Sequence, residues 1–145
     1  MNPSGPVRIL RVITRLNIGG PAIHVALLCT RMDPARFTTC LVAGEPEPAE
    51  GDLSRLVEHS QTRVIRLRSL GRRLRPWADL GSLARLVRIA AVERPGIIHT
   101  HMAKAGTLGR LAGIWYNRFG AGRRQSAMLI HTFHGHVLEG YFSTK

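Results

Sequence analysis

Short apolar runs alternate with longer segments of helical periodicity along the chain, and this alternation restricts the possible folds more than any other feature. The pattern predicts strands at 7–16, 37–43, 63–67, 97–102 and 128–133. It predicts helices at 22–32, 52–59, 77–94 and 104–118. Strands and helices that alternate in this way form parallel βαβ units, and right-handed crossovers place helices on both faces of the sheet. We therefore predict an α/β fold with a Rossmann-like parallel sheet.

The helical periodicity also predicts which side chains face the core. We expect Ile23 and Leu27 to face inward from the first helix. In the second and third helices, the predicted inward residues are Leu53, Leu56 and Val57, then Leu80, Leu83, Ala84, Val87 and Ala91. The small residues of the fourth helix indicate close packing on the sheet, and they are Gly106, Gly109, Ala112 and Gly113.

The length of 145 residues fits one domain with a real core, and no apolar run approaches the roughly 20 residues that span a bilayer. Arg8, Arg11 and Arg15 interrupt the first apolar run, which argues against a secretory signal peptide and favours a cytoplasmic location. Cys29 and Cys40 lie outside any CxxC motif, so we expect buried, reduced thiols. The net charge of +12 indicates an anionic partner without choosing among nucleic acid, membrane and phosphorylated substrate.

Glycines follow the first strand directly, at the carboxyl edge where parallel sheets bind ligands. Gly19 and Gly20 precede Pro21, which suits the first turn of a helix. Two glycines allow backbone N–H groups to approach a phosphate, and a helix N-terminus favours an anion. The spacing matches neither a GxGxxG fingerprint nor a P-loop, so a plain tight turn is the alternative interpretation.

Histidines mark the ends of the fourth and fifth strands. His99 and His101 share one face of the fourth strand by the period of two, and Lys104 follows at its carboxyl end. We place His101 and Lys104 in the ligand cleft; a core histidine pair with a solvated lysine is the alternative. His131, His134 and His136 follow one another within six residues.

His134 is the best candidate to touch a bound sugar or its leaving phosphate, since it comes just after the fifth strand and before Gly135. His136 would line the same cleft. The alternative is that these histidines are structural or lie on the surface. In principle, a zinc site could draw its ligands from five histidines: His99, His101, His131, His134 and His136. The chain has no HExxH motif and no cysteine cluster, so we expect no metal.

A basic segment surrounds the third strand and the loop that follows it. Its arginines are Arg63, Arg66, Arg68, Arg72, Arg73 and Arg75. Trp77 comes next, and arginine beside tryptophan suits an anionic membrane interface. A solvated basic surface is the alternative, and because no nucleic-acid-binding pattern accompanies the charge, we expect no nucleic acid.

Three segments together resemble glycosyltransferase family 4, which comprises retaining enzymes of the GT-B fold. They are RVITRLNIGGPAIHVALL, IIHTHMAKAGTLGRLAG and LIHTFHGHVLEGYF, in family order. The resemblance implies that residues 1–145 form the N-terminal, acceptor-side half of two facing Rossmann-like domains. It also implies that Gly19 and Gly20 lie by the donor diphosphate and that His134 contacts the donor sugar. No metal or other cofactor is implied; the nucleotide-diphosphate sugar is a co-substrate.

The resemblance further implies transfer of a sugar to a glycan or lipid-linked acceptor, in cell-surface polysaccharide or lipid-linked glycan synthesis. The second domain, with its paired glutamates, is absent from the sequence, so we expect a truncated chain that is inactive alone. Two alternatives stay open at this stage. One is a non-catalytic module that binds an anion or nucleic acid, and the other is a sugar-nucleotide epimerase on the same fold.

Overall fold

A computed structural model of the protein describes residues 5–58 and 60–135. Within these ranges the strands are β1 (Val7–Ile13), β2 (Phe37–Ala43), β3 (Arg63–Arg66), β4 (Ile97–His101) and β5 (Met128–Thr132). The helices are α1 (Gly20–Thr30), α2 (Arg55–Glu58), α3 (Pro76–Glu93) and α4 (Ala103–Phe119), and a 3₁₀ turn covers Ala121–Arg123.

The described strands form one parallel sheet in the order β3-β2-β1-β4-β5. The chain first steps outward from β1 to β2 and β3, then returns to the other side of β1 with β4 and β5. Ile13 at the end of β1 lies opposite His101 at the end of β4. The connections that leave these two strands therefore diverge, which makes a topological switch point at the carboxyl edge.

Two hydrophobic clusters cover opposite faces of the sheet, as the period of two along β1 requires. Leu10 and Val12 pack with residues of α3 and α4, such as Leu86 and Ala112. Ile13 packs on the other face with residues of α1 and α2. The predicted α/β class, the Rossmann-like parallel sheet and the placement of helices on both faces are confirmed.

Several predicted boundaries differ by one to three residues, and hydrogen bonds account for three of these differences. β1 ends at Ile13 rather than residue 16, since the Leu16 carbonyl accepts from the Leu53 amide in a loop. α1 begins at Gly20, where the Ile23 amide donates to the Gly19 carbonyl. α2 is a single turn instead of the predicted 52–59, because the Asp52 side chain accepts from the Ser54 amide at 2.8 Å and delays the helix.

The buried face of α1 differs from the prediction. Ile23 and Leu27 are each 48% exposed. The helix packs through Ala22, Val25 and Ala26 instead, because smaller side chains let it lie closer to the strands. In α2 only Val57 is buried, and Leu56 is exposed.

The buried face of α3 is also rotated relative to the prediction. Leu80 is exposed, as are Ala84 and Ala91, while Leu83 and Val87 are partly buried against the core. The fully buried residues are Ser82, Leu86 and Ala90. A serine is accepted there because its hydroxyl donates to the Ala78 carbonyl at 2.9 Å and lies 2.7 Å from the Ser69 hydroxyl.

Close packing of α4 on the sheet is confirmed. Gly106, Gly109 and Gly113 are all buried. A Cβ atom on Gly109 would contact Thr100 at 2.6 Å, closer than packed atoms allow. The glycines therefore set the distance between α4 and strands β4 and β5.

Candidate functional site

Three segments converge at the carboxyl edge of the sheet. One is the loop from β1 into α1, the second joins β4 to α4, and the third is the short segment after β5. Ligands of open parallel sheets bind in the crevice at such a switch point. The predicted site residues Gly19, Gly20, His101, Lys104 and His134 all belong to these segments.

The glycine loop leaves room for a ligand in front of α1. Gly19 has φ 158° and ψ 166°, a combination that belongs almost entirely to glycine. A Cβ atom on Gly20 would meet nothing within 4 Å. The first turn of α1 carries no acidic side chain. The positive end of this helix is therefore open to an anion, and a role in diphosphate binding stays a prediction.

Three imidazoles meet beside this loop, and we call them the histidine cluster: His24, His101 and His134. His101 Nδ1 lies 2.9 Å from His134 Nε2. The ring centroid of His24 is 5.1 Å from that of His134 and 6.0 Å from that of His101. His101 is fully buried, His134 is partly buried and His24 is exposed. The cluster therefore runs from the core to the mouth of the crevice.

His24 was missed by the sequence reasoning. It lies four residues after Gly20, so one helical turn carries it toward the same crevice. The spacing alone was a weak signal, because only the packing of α1 shows which side of the helix meets the ends of β4 and β5.

Burial keeps the inner imidazoles neutral. It lowers the pKa of His101 to about 2 and the pKa of His99 to about 4, with neighbouring histidines and Arg11 adding to both shifts. Burial also lowers the pKa of His134, and His24 and His131 add to that shift. At neutral pH these rings offer hydrogen bonds rather than positive charge.

A partly buried chain of polar side chains lies beneath the histidine cluster. The Arg11 guanidinium donates to His99 Nδ1 at 2.7 Å, and His99 Nε2 lies 2.9 Å from Thr132 Oγ1. The His99 and His101 rings lie 4.1 Å apart between centroids. The prediction that these two histidines share one face of β4 is thus confirmed. Through its two hydrogen-bond contacts, His99 connects Arg11 of β1 to Thr132 of β5.

Two residues at the crevice have a left-handed backbone without being glycine. Met102, just before α4, has φ 68°, and His134 has φ 64°. Such conformations cost on the order of 1–3 kcal/mol and concentrate at functional sites. Histidine tolerates the left-handed region better than most residues, which is consistent with its place at position 134.

Lys104 lies at the crevice, but its ammonium is already engaged. Nζ is 2.5 Å from Asp79 Oδ1 and 2.6 Å from the Arg73 carbonyl oxygen, and the side chain is only 8% exposed. The pair connects α4 to the start of α3. A direct contact with substrate would require this ion pair to open, and the cleft-lining role of Lys104 stays a prediction.

Two other histidines were predicted near the fifth strand, and only one of them lies within the described residues. The His131 ring lies against Gly106 of α4, and its Nδ1 is 2.8 Å from Thr100 Oγ1. His131 therefore faces α4 and does not join the histidine cluster. His136, predicted to line the cleft, lies outside the described residues.

The basic segment is partly neutralised by carboxylates. Arg63 pairs with Glu93 at 2.8 Å, and Arg68 pairs with Glu45 at 2.9 Å. Longer contacts join Arg66 to Asp52 at 3.8 Å and Arg73 to Glu47 at 3.5 Å. Part of the basic segment therefore fits the interpretation as a solvated basic surface.

The end of the basic segment has a different character, and we call residues 72–77 the basic-apolar loop. Arg72, Arg73 and Arg75 are exposed. Leu74 is 83% exposed and Trp77 is 86% exposed. Large apolar side chains so fully in solvent beside arginines make a surface of mixed character. Among the described helices, none is long and apolar enough to cross a membrane.

Comparison with known proteins places the chain in a family. The family described as "Glycosyl transferase 4-like domain" matches residues 19–145. This range includes the glycine loop, the histidine cluster and Lys104. No curated protein matches the chain in sequence.

Solved structures share the fold. A protein from Listeria monocytogenes assigned as a UDP-N-acetylglucosamine 2-epimerase superposes with a TM-score of 0.60 at 16% identity, over 88% of this chain and 31% of its own. Another UDP-N-acetylglucosamine 2-epimerase gives 0.54 at 13% identity, over 88% of this chain and 33% of its own. The sucrose-phosphate synthase of Thermosynechococcus elongatus gives 0.54 at 20% identity, with the same coverage.

These likenesses show the fold alone, because the identities are low. The chain spans 31% to 33% of the length of these structures. The family match, in contrast, extends over most of the chain and covers the motifs that form the crevice. The chain therefore belongs to the glycosyl transferase 4-like domain family.

Proposed function

We propose that this chain is the N-terminal domain of a retaining glycosyltransferase that moves a sugar from a nucleotide-diphosphate donor to an acceptor. The observation that carries the proposal is the convergence of the glycine loop and His134 at one crevice. His24, one turn into the helix that the glycines open, has its ring centroid 5.1 Å from that of His134. A donor with a diphosphate at one end and a sugar at the other needs these two features side by side.

The leaving diphosphate would lie at Gly19 and Gly20. Charge develops on its oxygens as the glycosidic bond to the anomeric carbon breaks. Backbone amides at the N-terminus of α1 would stabilise that charge, and they are already in position before the reaction. The open space in front of Gly20 supports this placement.

His134 would orient the donor sugar. Its lowered pKa favours a neutral ring, and Nδ1, the nitrogen that does not face His101, can make one hydrogen bond to a sugar hydroxyl. His101 Nδ1, 2.9 Å away, would hold that ring in place from the core. His101 thus acts as a positioning residue in this proposal rather than touching the sugar.

A second Rossmann-like domain facing the crevice would complete the donor site. The acceptor would then bind on the side of this domain, near Lys104; His136, the other predicted cleft residue, lies outside the described residues. A lipid-linked acceptor in cell-surface polysaccharide or lipid-linked glycan synthesis suits the basic-apolar loop. Its arginines would meet anionic headgroups while Leu74 and Trp77 enter the interface. A cytoplasmic protein at the inner membrane face is the location that we propose.

Donor binding tests the proposal. Binding of UDP and of UDP-hexoses is measured by calorimetry in a buffer with EDTA. His134→Asn removes the imidazole and keeps a residue that accepts φ 64°. We expect it to weaken UDP-hexose binding at least tenfold, about 1.4 kcal/mol, while binding of UDP alone stays nearly unchanged.

The matched control is His131→Gln, which removes an imidazole that faces α4 instead of the crevice. It should bind UDP-hexose as the wild type does, provided that both proteins show the same circular dichroism. Equal losses for UDP and UDP-hexose in His134→Asn would contradict the role of His134. Conversion of UDP-N-acetylglucosamine at C2 without an acceptor would favour an epimerase instead.

A further inference from the structure

The backbone of the basic-apolar loop is held by two side chains that come from outside it, and we call Lys104 and Asp79 the clasp. Lys104 Nζ donates to the Arg73 carbonyl at 2.6 Å, and it forms an ion pair with Oδ1 of Asp79. The other carboxylate oxygen of Asp79 accepts from the Arg75 amide at 3.1 Å. The clasp therefore fixes the loop backbone at two points, Arg73 and Arg75.

The clasp is shielded from water, whereas the loop presents its large side chains to it. The side chains of Lys104 and Asp79 are 8% and 16% exposed, and an ion pair with little access to water is stronger than one on the surface. Leu74 and Trp77 of the loop lie almost entirely in solvent. Because these apolar side chains bury so little surface, they cannot hold the loop in one shape. The shape of the loop therefore depends on the clasp.

The helix that carries Lys104 is itself bonded to the ends of the strands. The Ala105 amide donates to Thr14 Oγ1 at 3.2 Å, just after β1. The Met102 amide donates to the carbonyl of Thr132, the last residue of β5, at 3.3 Å. Lys104 lies between these two contacts at the start of α4. The clasp therefore fixes the position of the loop relative to the crevice as well as its shape.

We propose that Lys104 is a positioning residue, which together with Asp79 holds the basic-apolar loop in the shape that binds anionic lipid headgroups. The proposal rests on the membrane contact in the proposed function, and it gives Lys104 a role other than lining the cleft. A loop that is ordered before binding does not lose conformational freedom when it binds. Without the clasp, the loop keeps its arginines and Trp77 but must be ordered at the membrane, so its affinity falls.

The test variant combines Lys104→Met with Asp79→Asn. Methionine occupies the space of the lysine stem without donating to Arg73, and asparagine keeps an oxygen that can accept from the Arg75 amide. Both charges are removed together, so the net charge of +12 is unchanged and no shielded charge is left without its partner. A weaker membrane contact in this variant is therefore not an effect of net charge.

The matched control combines Arg110→Met with Glu93→Gln. It also removes one cation from α4 and one anion from α3, and it also keeps the net charge. Among the described residues, Arg110 bonds to the Gly106 carbonyl and Glu93 to Arg63, and neither pairs with the loop. The control should behave as the wild-type protein does, and circular dichroism shows that each variant keeps the fold.

Limited trypsin digestion measures the order of the loop. Trypsin cuts after Arg72 and Arg73 only when the loop opens, so the rate follows the population of the open loop. We expect the test variant to be cut there roughly tenfold faster than the wild type, with the sites assigned by mass spectrometry. Cleavage after Arg123 and Arg124, which lie exposed in a different loop, is the internal reference and should not change.

Vesicle binding measures the function of the loop. Trp115→Phe is included in every protein, so that Trp77 is the only tryptophan and its emission reports the contact. We expect the affinity for phosphatidylglycerol vesicles to fall roughly threefold or more in the test variant. Faster cleavage with unchanged vesicle affinity would overturn the proposal, as would an unchanged rate of cleavage.

Two further outcomes separate this proposal from its alternatives. Weaker vesicle binding without faster cleavage would contradict a positioning role and mean that Lys104 touches the lipid itself. No vesicle binding by the wild-type protein would refute the membrane contact of the proposed function. In that case the cleavage rates still decide whether the clasp orders the loop, so the two failures are distinguishable.

Discussion

His101 Nδ1 lies 2.9 Å from His134 Nε2, so the last residue of β4 contacts the second residue beyond β5. The contact joins the fully buried His101 ring to the ring of His134, a residue whose backbone is left-handed at φ 64°. His134 is thereby held at the crevice by the sheet itself, although it lies outside any strand. A loop residue fixed in this way is pre-organised for a ligand.

The glycine loop should tolerate a methyl group structurally but not functionally. A Cβ atom on Gly20 meets nothing within 4 Å, and alanine favours helix by up to about 1 kcal/mol over glycine. We expect Gly20→Ala to unfold at the same or a higher temperature. Binding of UDP should weaken at least tenfold, about 1.4 kcal/mol by calorimetry, because the methyl group takes the space of the diphosphate. Unchanged UDP affinity would show that the diphosphate does not bind at this loop.

The basic-apolar loop should bind anionic membranes. Trp77 fluorescence reports contact, because a ring that leaves water for the interface shifts its emission to the blue. We expect a shift with phosphatidylglycerol vesicles, none with phosphatidylcholine vesicles, and a weaker shift in high salt. Trp77→Ser should lose the response, whereas Trp115→Phe, which removes an exposed ring of α4, should keep it. A response that disappears with Trp115 instead would place the contact on α4.

His99 should exist in one defined tautomer. Arginine only donates hydrogen bonds, so the 2.7 Å contact makes His99 Nδ1 an acceptor. With its pKa lowered to about 4, the ring is neutral at pH 7 and must carry its hydrogen on Nε2. Nε2 then donates to Thr132 Oγ1. Long-range ¹H–¹⁵N correlation spectra should show this tautomer, and an Nδ1–H signal for His99 would contradict the contact with Arg11.

Gly106 should resist substitution although it lies in a helix. A Cβ atom there would overlap the His131 ring, so Gly106→Ala should lower the free energy of unfolding by about 1–3 kcal/mol. Gly81→Ala is the matched control in α3, where a Cβ atom meets nothing within 4 Å. That variant should be stabilised by roughly 0.4–1 kcal/mol. Urea unfolding measures both, and equal effects would mean that α4 moves away from the sheet at no cost.

The two cysteines should differ in reactivity. Burial, with a contribution from Glu93, raises the pKa of Cys40 from 9.0 to about 12. At pH 8.5 fewer than about one in a thousand Cys40 thiols is then ionised in the folded protein. Cys29, whose pKa burial also raises, is less deeply buried. We expect iodoacetamide to label Cys29 first and Cys40 only on unfolding.

The same shift has a consequence for stability. Unfolded Cys40 ionises near pH 9, while the folded protein keeps the proton to about pH 12. The unfolded state binds fewer protons in this window, so Cys40 lowers the stability as the pH rises from 9 toward 12. Mass spectrometry of labelled peptides checks the order of reaction, and rapid labelling of Cys40 in the folded state would contradict its burial.

The sequence by itself determined the fold class and the places where a ligand could bind. Strand β2 was predicted at 37–43 and observed at the same residues, because both of its ends are marked by abrupt changes in composition. The carboxyl ends of parallel strands meet at one edge, so the glycine loop and the histidines after β4 and β5 could be assigned to one crevice. These inferences need only local periodicity and the rule of right-handed crossovers.

The tertiary structure decided which side chains meet. His24 joins His101 and His134 only because α1 packs through Ala22, Val25 and Ala26, a face that the hydrophobic pattern did not identify. Lys104 is held by Asp79, 25 residues earlier in the sequence, so its ion pair could not be found from spacing. The face that a helix buries and the partner of a charge depend on contacts between distant segments. Such contacts are fixed by packing and leave little trace in local sequence.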